Sequence, residues 1–314
     1  MNIAFSIDDN YAPHCATTIC SICENNRDEI ITFYIVHNGL SKNNIEIISN
    51  FVHKYSQKEI FFLTLSKELI DLCPIGKDYQ LNNQITIATY YRLFFEKVIP
   101  TNVDKLIFLD CDIVVEDSLK ELWNIDLTNK AIAAVPDTST YDIQYYNRLK
   151  YEYELGYFNA GVLLINLKYW RENNLMKVFI EYMKMYPERL VCHDQDVLNY
   201  TLRNLKIRLP YKFNYQGGFY SLSIPLFYKD WNEIFEFESK PTIIHYSNRL
   251  KPWFKDCTHP LKSEYIKYRK LTPYSNFKLK NESLKICLKK ILKKVLILLN
   301  LKQKEQDYFR KINV

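Results

Sequence analysis

With 314 residues, 47% hydrophobic and 25% charged, the chain has ordinary globular composition and enough length for a sizeable core, which excludes disorder as its default state. The net charge of +6 is concentrated between Lys278 and Lys304, where nine lysines meet one acid, Glu282, leaving −2 for everything else. Such a body gives no support to nucleic-acid binding, which normally needs a basic face on the folded domain itself.

Residues 3–7 predict a strand that starts without a basic leader or a long apolar run, so the chain is expected in the cytosol. A helix over 12–24, a strand over 30–36, a helix over 43–55 and a strand over 60–65 follow. This alternation predicts an α/β fold, a mostly parallel sheet with helices on both faces. After a loop over 73–81, residues 86–95 lack Gly and Pro and predict a helix leading into the strand Leu106-Ile107-Phe108-Leu109. That strand ends in Asp110-Cys111-Asp112, and the chain turns apolar again at Ile113. Residues two apart on a strand point to one side, so both carboxylates can reach one point, where their repulsion calls for a cation. Turn capping is the competing reading of an isolated D-x-D.

Further along, Ser118 can cap a short helix through Trp123, and 131–135 predict a strand ending at Pro136-Asp137. Phe158-Asn159-Ala160-Gly161 precede another strand over 162–165, and 167–186 are helical. His193-Asp194-Gln195-Asp196 open a helix through Leu202. An irregular aromatic stretch over 211–228 contains Gly217-Gly218, and 242–244 form a short strand running into His245. Eight cysteines (Cys15, Cys20, Cys23, Cys73, Cys111, Cys192, Cys257 and Cys287) are scattered, and Cys20-x-x-Cys23 lacks a second pair. They read as small buried hydrophobes in a reducing compartment.

The polar motifs stand at strand ends or helix starts: Asp8-Asp9-Asn10, Asp110 and Asp112, Asp137, and His245. Ends of strands gather on one edge of such a sheet, so one cleft can hold Asp8, Asp110, Asp112, Asp137, Asn159 and His245. Together with Phe5-Ser6-Ile7, Ala88-Thr89-Tyr90-Tyr91-Arg92-Leu93, Val135-Pro136-Asp137, Phe158-Asn159-Ala160-Gly161-Val162, His193-Asp194-Gln195-Asp196 and Lys251-Pro252-Trp253, these residues resemble glycosyltransferase family 8, the retaining nucleotide-sugar transferases. The similarity runs from Met1 to about Phe254.

The resemblance implies a GT-A type nucleotide-sugar-binding fold, with a catalytic domain over 1–257 and a basic helical region over 258–314. It implies that Asp110, Asp112 and His245 bind a divalent cation on the donor's diphosphate. An imidazole among oxygens favours Mn²⁺, with Mg²⁺ as the alternative. Taken alone, His245 reads as a satisfied buried histidine. Lys251 and Arg92 would face phosphate, though a solvated lysine and a structural ion pair compete. Asp8 and Asn10 would touch base and ribose unless they cap the helix near Ala12. Asp137, Asn159, Asp194 and Gln195 would ring the sugar, with the Ala160-Gly161 backbone allowing close approach. Gln195 would sit nearest the reacting carbon. An amide is a poor nucleophile, which favours front-face attack by the acceptor; Asp194 is the alternative nucleophile. At Asn248 the family usually has Gly, whose amide contacts the diphosphate. Asn tolerates left-handed dihedrals, so the turn can survive there.

Over 279–301, Leu284, Leu288, Ile291, Leu292, Val295 and Leu299 recur at helical spacing opposite Lys285, Lys289, Lys290, Lys293 and Lys294. Lysines interrupt any spanning run, so the expectation is a basic amphipathic helix on an anionic membrane surface, a helix docked on the body being the alternative. The reading is a metal-dependent hexosyltransferase that uses a UDP-hexose (galactose or glucose) and an oligosaccharide or glycolipid acceptor at the inner membrane face. Two alternatives stand beside it. Asp110-Cys111-Asp112-Ile113-Val114 also fits the D-x-D-x-[TV] signature of haloacid-dehalogenase-like phosphatases, and a sugar-binding relative without catalysis is the third reading.

Overall fold

Among the residues that the computed structural model describes (1–74, 87–220, 228–276 and 278–280, with Leu292 and Val295), ten strands form two sheets. Strands β1 (Asn2–Ile7), β2 (Ile31–His37), β3 (Lys58–Thr64), β4 (Lys105–Leu109), β6 (Ile132–Pro136), β7 (Phe158–Asn166) and β8 (Lys206–Arg208) form the larger, in the order β3-β2-β1-β4-β7-β6-β8. Only β7 runs against its neighbours, β4 and β6. The sheet is therefore mixed and mostly parallel.

Strands this apolar need cover on both faces. Alternation along each strand supplies two cores. Ile3, Phe5, Ile7, Ile107, Leu109, Val162 and Leu164 meet Cys15 and Ile19 of the helix Ala12–Asn25 on one face. Ala4, Leu106, Phe108, Leu163 and Ile165 meet Trp170, Phe179 and Leu198 on the other. Each large aliphatic or aromatic side chain buried this way contributes about 1.5–3 kcal/mol.

The second sheet, β5 (Ile113–Val115), β10 (Ile243–His245) and β9 (Tyr215–Gln216), runs in the order β5-β10-β9. β10 is antiparallel to β5, and His245 pairs with Ile113. The free edge of β5 is satisfied by side chains of Ala12–Asn25: Thr18 Oγ1 donates to the Ile113 carbonyl at 2.8 Å, Ser21 Oγ accepts from Val115 N at 3.0 Å, and Asn25 Nδ2 donates to the Val115 carbonyl at 2.9 Å. A helix face thus takes the place of a missing strand, which holds the exit of the D-x-D in one position.

Two expectations change. The helix predicted from residue 86 is, in its described part, a 3₁₀ helix over Ile87–Phe94 followed by one α-turn, Phe95–Val98, and Arg92 Nε donates to the Thr89 carbonyl within it. The short helix begins at Lys120 without a side-chain cap on its Ncap residue, Leu119; Ser118 Oγ only accepts from Lys120 N. Packing also continues past residue 257: Leu261, Tyr265 and Tyr268 belong to the first core, and Tyr265 and Tyr268 lie on the helix Lys262–Lys270.

Most of the tail helix expected over 279–301 lies outside the described residues. Leu292 and Val295 are helical and exposed. Among the described residues no helix is long and apolar enough to cross a membrane. The seven described cysteines are free, and all but Cys192 are buried.

Candidate active site

The ends of β1, β4 and β10 and the reversed start of β7 open into one cleft of about 460 Å³, a size suited to a small-molecule ligand. Because β7 is antiparallel, its first residues, Asn159, Ala160 and Gly161, reach the edge where β1 and β4 finish. The D-x-D is the passage between the two sheets. Asp110 N continues the β4 ladder by donating to the Gly161 carbonyl at 2.8 Å, whereas the Asp112 carbonyl accepts from Tyr246 N beside β10 at 2.9 Å. The chain changes sheets at Cys111, and the β5–β10 register delivers His245 to the two carboxylates.

Asp110, Asp112 and His245 each offer one ligand atom, and these atoms all lie within 4.8 Å of one another. His245 Nε2 is 3.4 Å from Asp112 Oδ1 and 4.0 Å from Asp110 Oδ2. Gly161 makes the approach possible: a Cβ there would overlap His245 Cε1 and stand 2.9 Å from Asp110 Oδ2. The expected space at Gly161 is therefore taken by the cluster itself. Two carboxylates and one imidazole fit a divalent cation.

Cations already surround these acids. Burial alone would raise the Asp112 pKa, but Lys251 Nζ, 2.6 Å from Oδ2, opposes it and holds the carboxyl below the usual range. Arg92 is 5% exposed. It contacts Asp110 at 2.8 Å and Asp194 at 3.0 Å, donates to the Ala160 carbonyl, and lies 4.0 Å from the centre of the Phe108 ring. Burial opposes its charge, and the two carboxylates raise its pKa against that cost. For Asp194, burial raises the pKa while Arg92 and the Thr89 hydroxyl, donating at 2.6 Å, oppose the rise. Its contact with Arg92 is one of charge rather than an aligned hydrogen bond.

Of the other expected residues, Asp8, Asn159, Ala160 and Gln195 line the cleft. Asp8 also caps the 3₁₀ turn Asp9–Tyr11, accepting from Asn10 N at 2.9 Å and Tyr11 N at 3.2 Å. Asn10 is exposed and outside the cleft lining. Asp137 stands behind it: its Oδ2 accepts from Asn159 Nδ2 at 2.9 Å and Gln195 Nε2 at 3.3 Å. Asn248 does not line the cleft or adopt a left-handed φ; its side chain crowds Gly217. Ser247 and Arg249 line the cleft without having been singled out, and Tyr11, Thr89 and His193, which stood out only as parts of motifs, line it too. Arg249 could have been found from its place two residues before Lys251, and Thr89 from its place one turn before Arg92.

The mixed sheet and an Asp-Asp-His cluster at its strand ends define a GT-A type fold. The chain belongs to glycosyl transferase family 8, whose model matches residues 2–257, and is a glycosyltransferase. It is 30% identical over 280 residues to a lipopolysaccharide 1,2-glucosyltransferase of Escherichia coli, covering 88% of this chain and 79% of that one. It is 27% identical over 287 residues to a lipopolysaccharide 1,3-galactosyltransferase of Salmonella typhimurium, covering 89% and 81%. Among solved structures, the galactosyltransferase LgtC in complex with donor and acceptor sugar analogues superposes with a TM-score of 0.78 at 27% identity, over 87% of this chain and 96% of that one.

Proposed function

We propose that the protein transfers a hexose, glucose or galactose, from a UDP-sugar to a saccharide acceptor with retention of configuration, in lipopolysaccharide, lipooligosaccharide or capsule synthesis. The observation that carries this reading is the convergence of Asp110, Asp112 and His245 beside Arg92 and Lys251 in one cleft. Asp110, Asp112 and His245 would hold Mn²⁺, which when bound supplies Lewis-acid stabilisation of the departing diphosphate. Lys251 exchanges Asp112 for phosphate, and Arg92 keeps Asp194 and Asp110 in place while facing the same cleft. The Gln195 amide is engaged at both ends, with Oε1 accepting from Ala160 N at 2.9 Å and Nε2 shared between Asp137 and the Tyr157 hydroxyl. Asp194 is committed to Arg92 and Thr89. A carboxylate held in this way is a poor candidate for the nucleophile, which favours front-face attack by the acceptor. The relatives named for glucosyl and for galactosyl transfer to lipopolysaccharide support the acceptor class.

Purified protein given Mn²⁺ and a panel of UDP-sugars is expected to release UDP with one hexose donor, to stop on chelation and to recover when Mn²⁺ is restored. No release from any UDP-hexose overturns the reading, and full activity in chelator removes the metal from it.

The same proposal places the protein in the cytoplasm, peripheral on the inner membrane face, with the lysine-rich stretch over 279–301 against anionic lipid at about 1 kcal/mol per lysine. Co-sedimentation with anionic liposomes is expected to fall at least tenfold when residues 279–314 are removed; sedimentation that does not change rejects the membrane contact.

A further inference from the structure

We propose that Asn214 is a positioning residue that places the ring proton of His245 on Nδ1 and so turns the Nε2 lone pair toward Asp110 and Asp112. The consequence for metal affinity rests on the cation reading above; the ring geometry does not.

The inference follows from the polarity of a buried chain of hydrogen bonds. Its starting point is a backbone amide, which can only donate: Gly161 N lies 2.9 Å from one side-chain atom of Asn159, and that atom must therefore be the oxygen. The other end of Asn159 is then its NH₂, which donates to Asp137 Oδ2 at 2.9 Å, a carboxylate that also accepts from Ser139 N at 2.8 Å. The Asn159 oxygen further accepts from Asn214 at 2.9 Å, so Asn214 presents its NH₂ there. Its remaining atom, Oδ1, lies 2.9 Å from His245 Nδ1. An amide oxygen only accepts, so the proton between them belongs to Nδ1. In the neutral ring Nε2 then carries a lone pair, and it is this atom that faces both carboxylates.

Burial makes the chain decisive. Asn214 is 0%, His245 3% and Asn159 8% exposed, so water does not replace a mismatched partner without the cost of an unsatisfied buried polar group. Asp112, 3.4 Å from Nε2, would by itself favour a proton on Nε2, which blocks that nitrogen as a ligand. Asn214 decides the contest in the other direction. Asp137 and Asn159, expected as sugar contacts, hold the far end of the relay.

The test combines a spectrum and a binding constant. Histidine-selective ¹⁵N labelling of the metal-free protein, under conditions where the ring is neutral, with His245 assigned by its absence in His245→Ala, reads the tautomer directly. The wild type is expected as the Nδ1–H form, and Asn214→Asp, which loses the donor to Asn159 but still presents an acceptor oxygen to Nδ1, is expected to keep it. Asn214→Leu is expected to lose the preference and to weaken Mn²⁺ binding about 10–100-fold. An Nε2–H ring in the wild type overturns the proposal, as does a folded Asn214→Leu with wild-type Mn²⁺ affinity. Should the leucine variant not fold, the wild-type spectrum still decides. A wild type that binds no Mn²⁺ counts against the cation reading, while its ring spectrum alone judges the relay.

Discussion

Asp112→Ala is expected to lower kcat/KM for UDP release by about 10³-fold or more, about 4 kcal/mol of transition-state stabilisation. The residue is 8% exposed, and its two oxygens lie 3.4 Å from His245 Nε2 and 2.6 Å from Lys251 Nζ. Removing it takes a charged ligand atom from the cluster and the partner that holds Lys251 in the cleft. The backbone part of the site survives, because the Asp112 carbonyl still accepts from Tyr246 N. Asp112→Asn, which keeps the shape and removes the charge, is expected to lose nearly as much. Steady-state kinetics with the preferred UDP-sugar, set beside a thermal melt, measures the effect. Activity within tenfold of wild type in a folded Asp112→Ala would remove this carboxylate from the chemistry.

Gly161→Ala is the second large effect, and it adds one methyl group without removing any charge. That carbon would overlap His245 Cε1 and stand 2.9 Å from both His245 Nδ1 and Asp110 Oδ2. Gly161 lies within β7 and its carbonyl is fixed by Asp110 N, so the strand has little freedom to retreat. The His245 ring has to move instead, which breaks its contact with Asn214 and its approach to the carboxylates. Mn²⁺ affinity and UDP release are expected to fall together by about 10²-fold, with a stability loss of about 1–3 kcal/mol from overpacking. Isothermal titration with Mn²⁺ alongside a denaturant melt separates the two. Wild-type Mn²⁺ affinity in this variant would show that the ring has room that the geometry denies it.

Much of the site was legible in the sequence because its chemistry stands out against its surroundings. Asp110 and Asp112 interrupt a run of residues that is otherwise buried, and Arg92 sits among apolar neighbours. Charges in such places need partners, so they announce a site even before the partners are known. Asp8 and His245 line the cleft because strand ends in a wound sheet converge. Asp137 stands behind the lining for a local reason: its side chain is taken by Ser139 N, Asn159 and Gln195, a set of donors drawn from three separate stretches of chain. Asn248 misled for a similar reason, because a residue's tolerance of left-handed backbone does not say that the fold requires it. Asn214 carried no signal at all, since one asparagine in an aromatic stretch looks like any turn residue.

By itself the sequence determined the alternation of strands and helices, the two-faced apolar patterning of the main sheet, the D-x-D at a strand end and the family resemblance. These follow from local periodicity and from residue chemistry, which are properties of short stretches. Tertiary structure alone decided that β7 runs backward, so that Gly161 meets Asp110, and that β10 pairs with β5 in the register that sets His245 opposite Ile113. Register is a choice among pairings of distant segments, settled by the packing of whole faces rather than by any one segment's preference. The ligand geometry inherits that choice, because Asp110 and Asp112, between β4 and β5, share a point with His245, at the end of β10, only when β5 and β10 pair in this register.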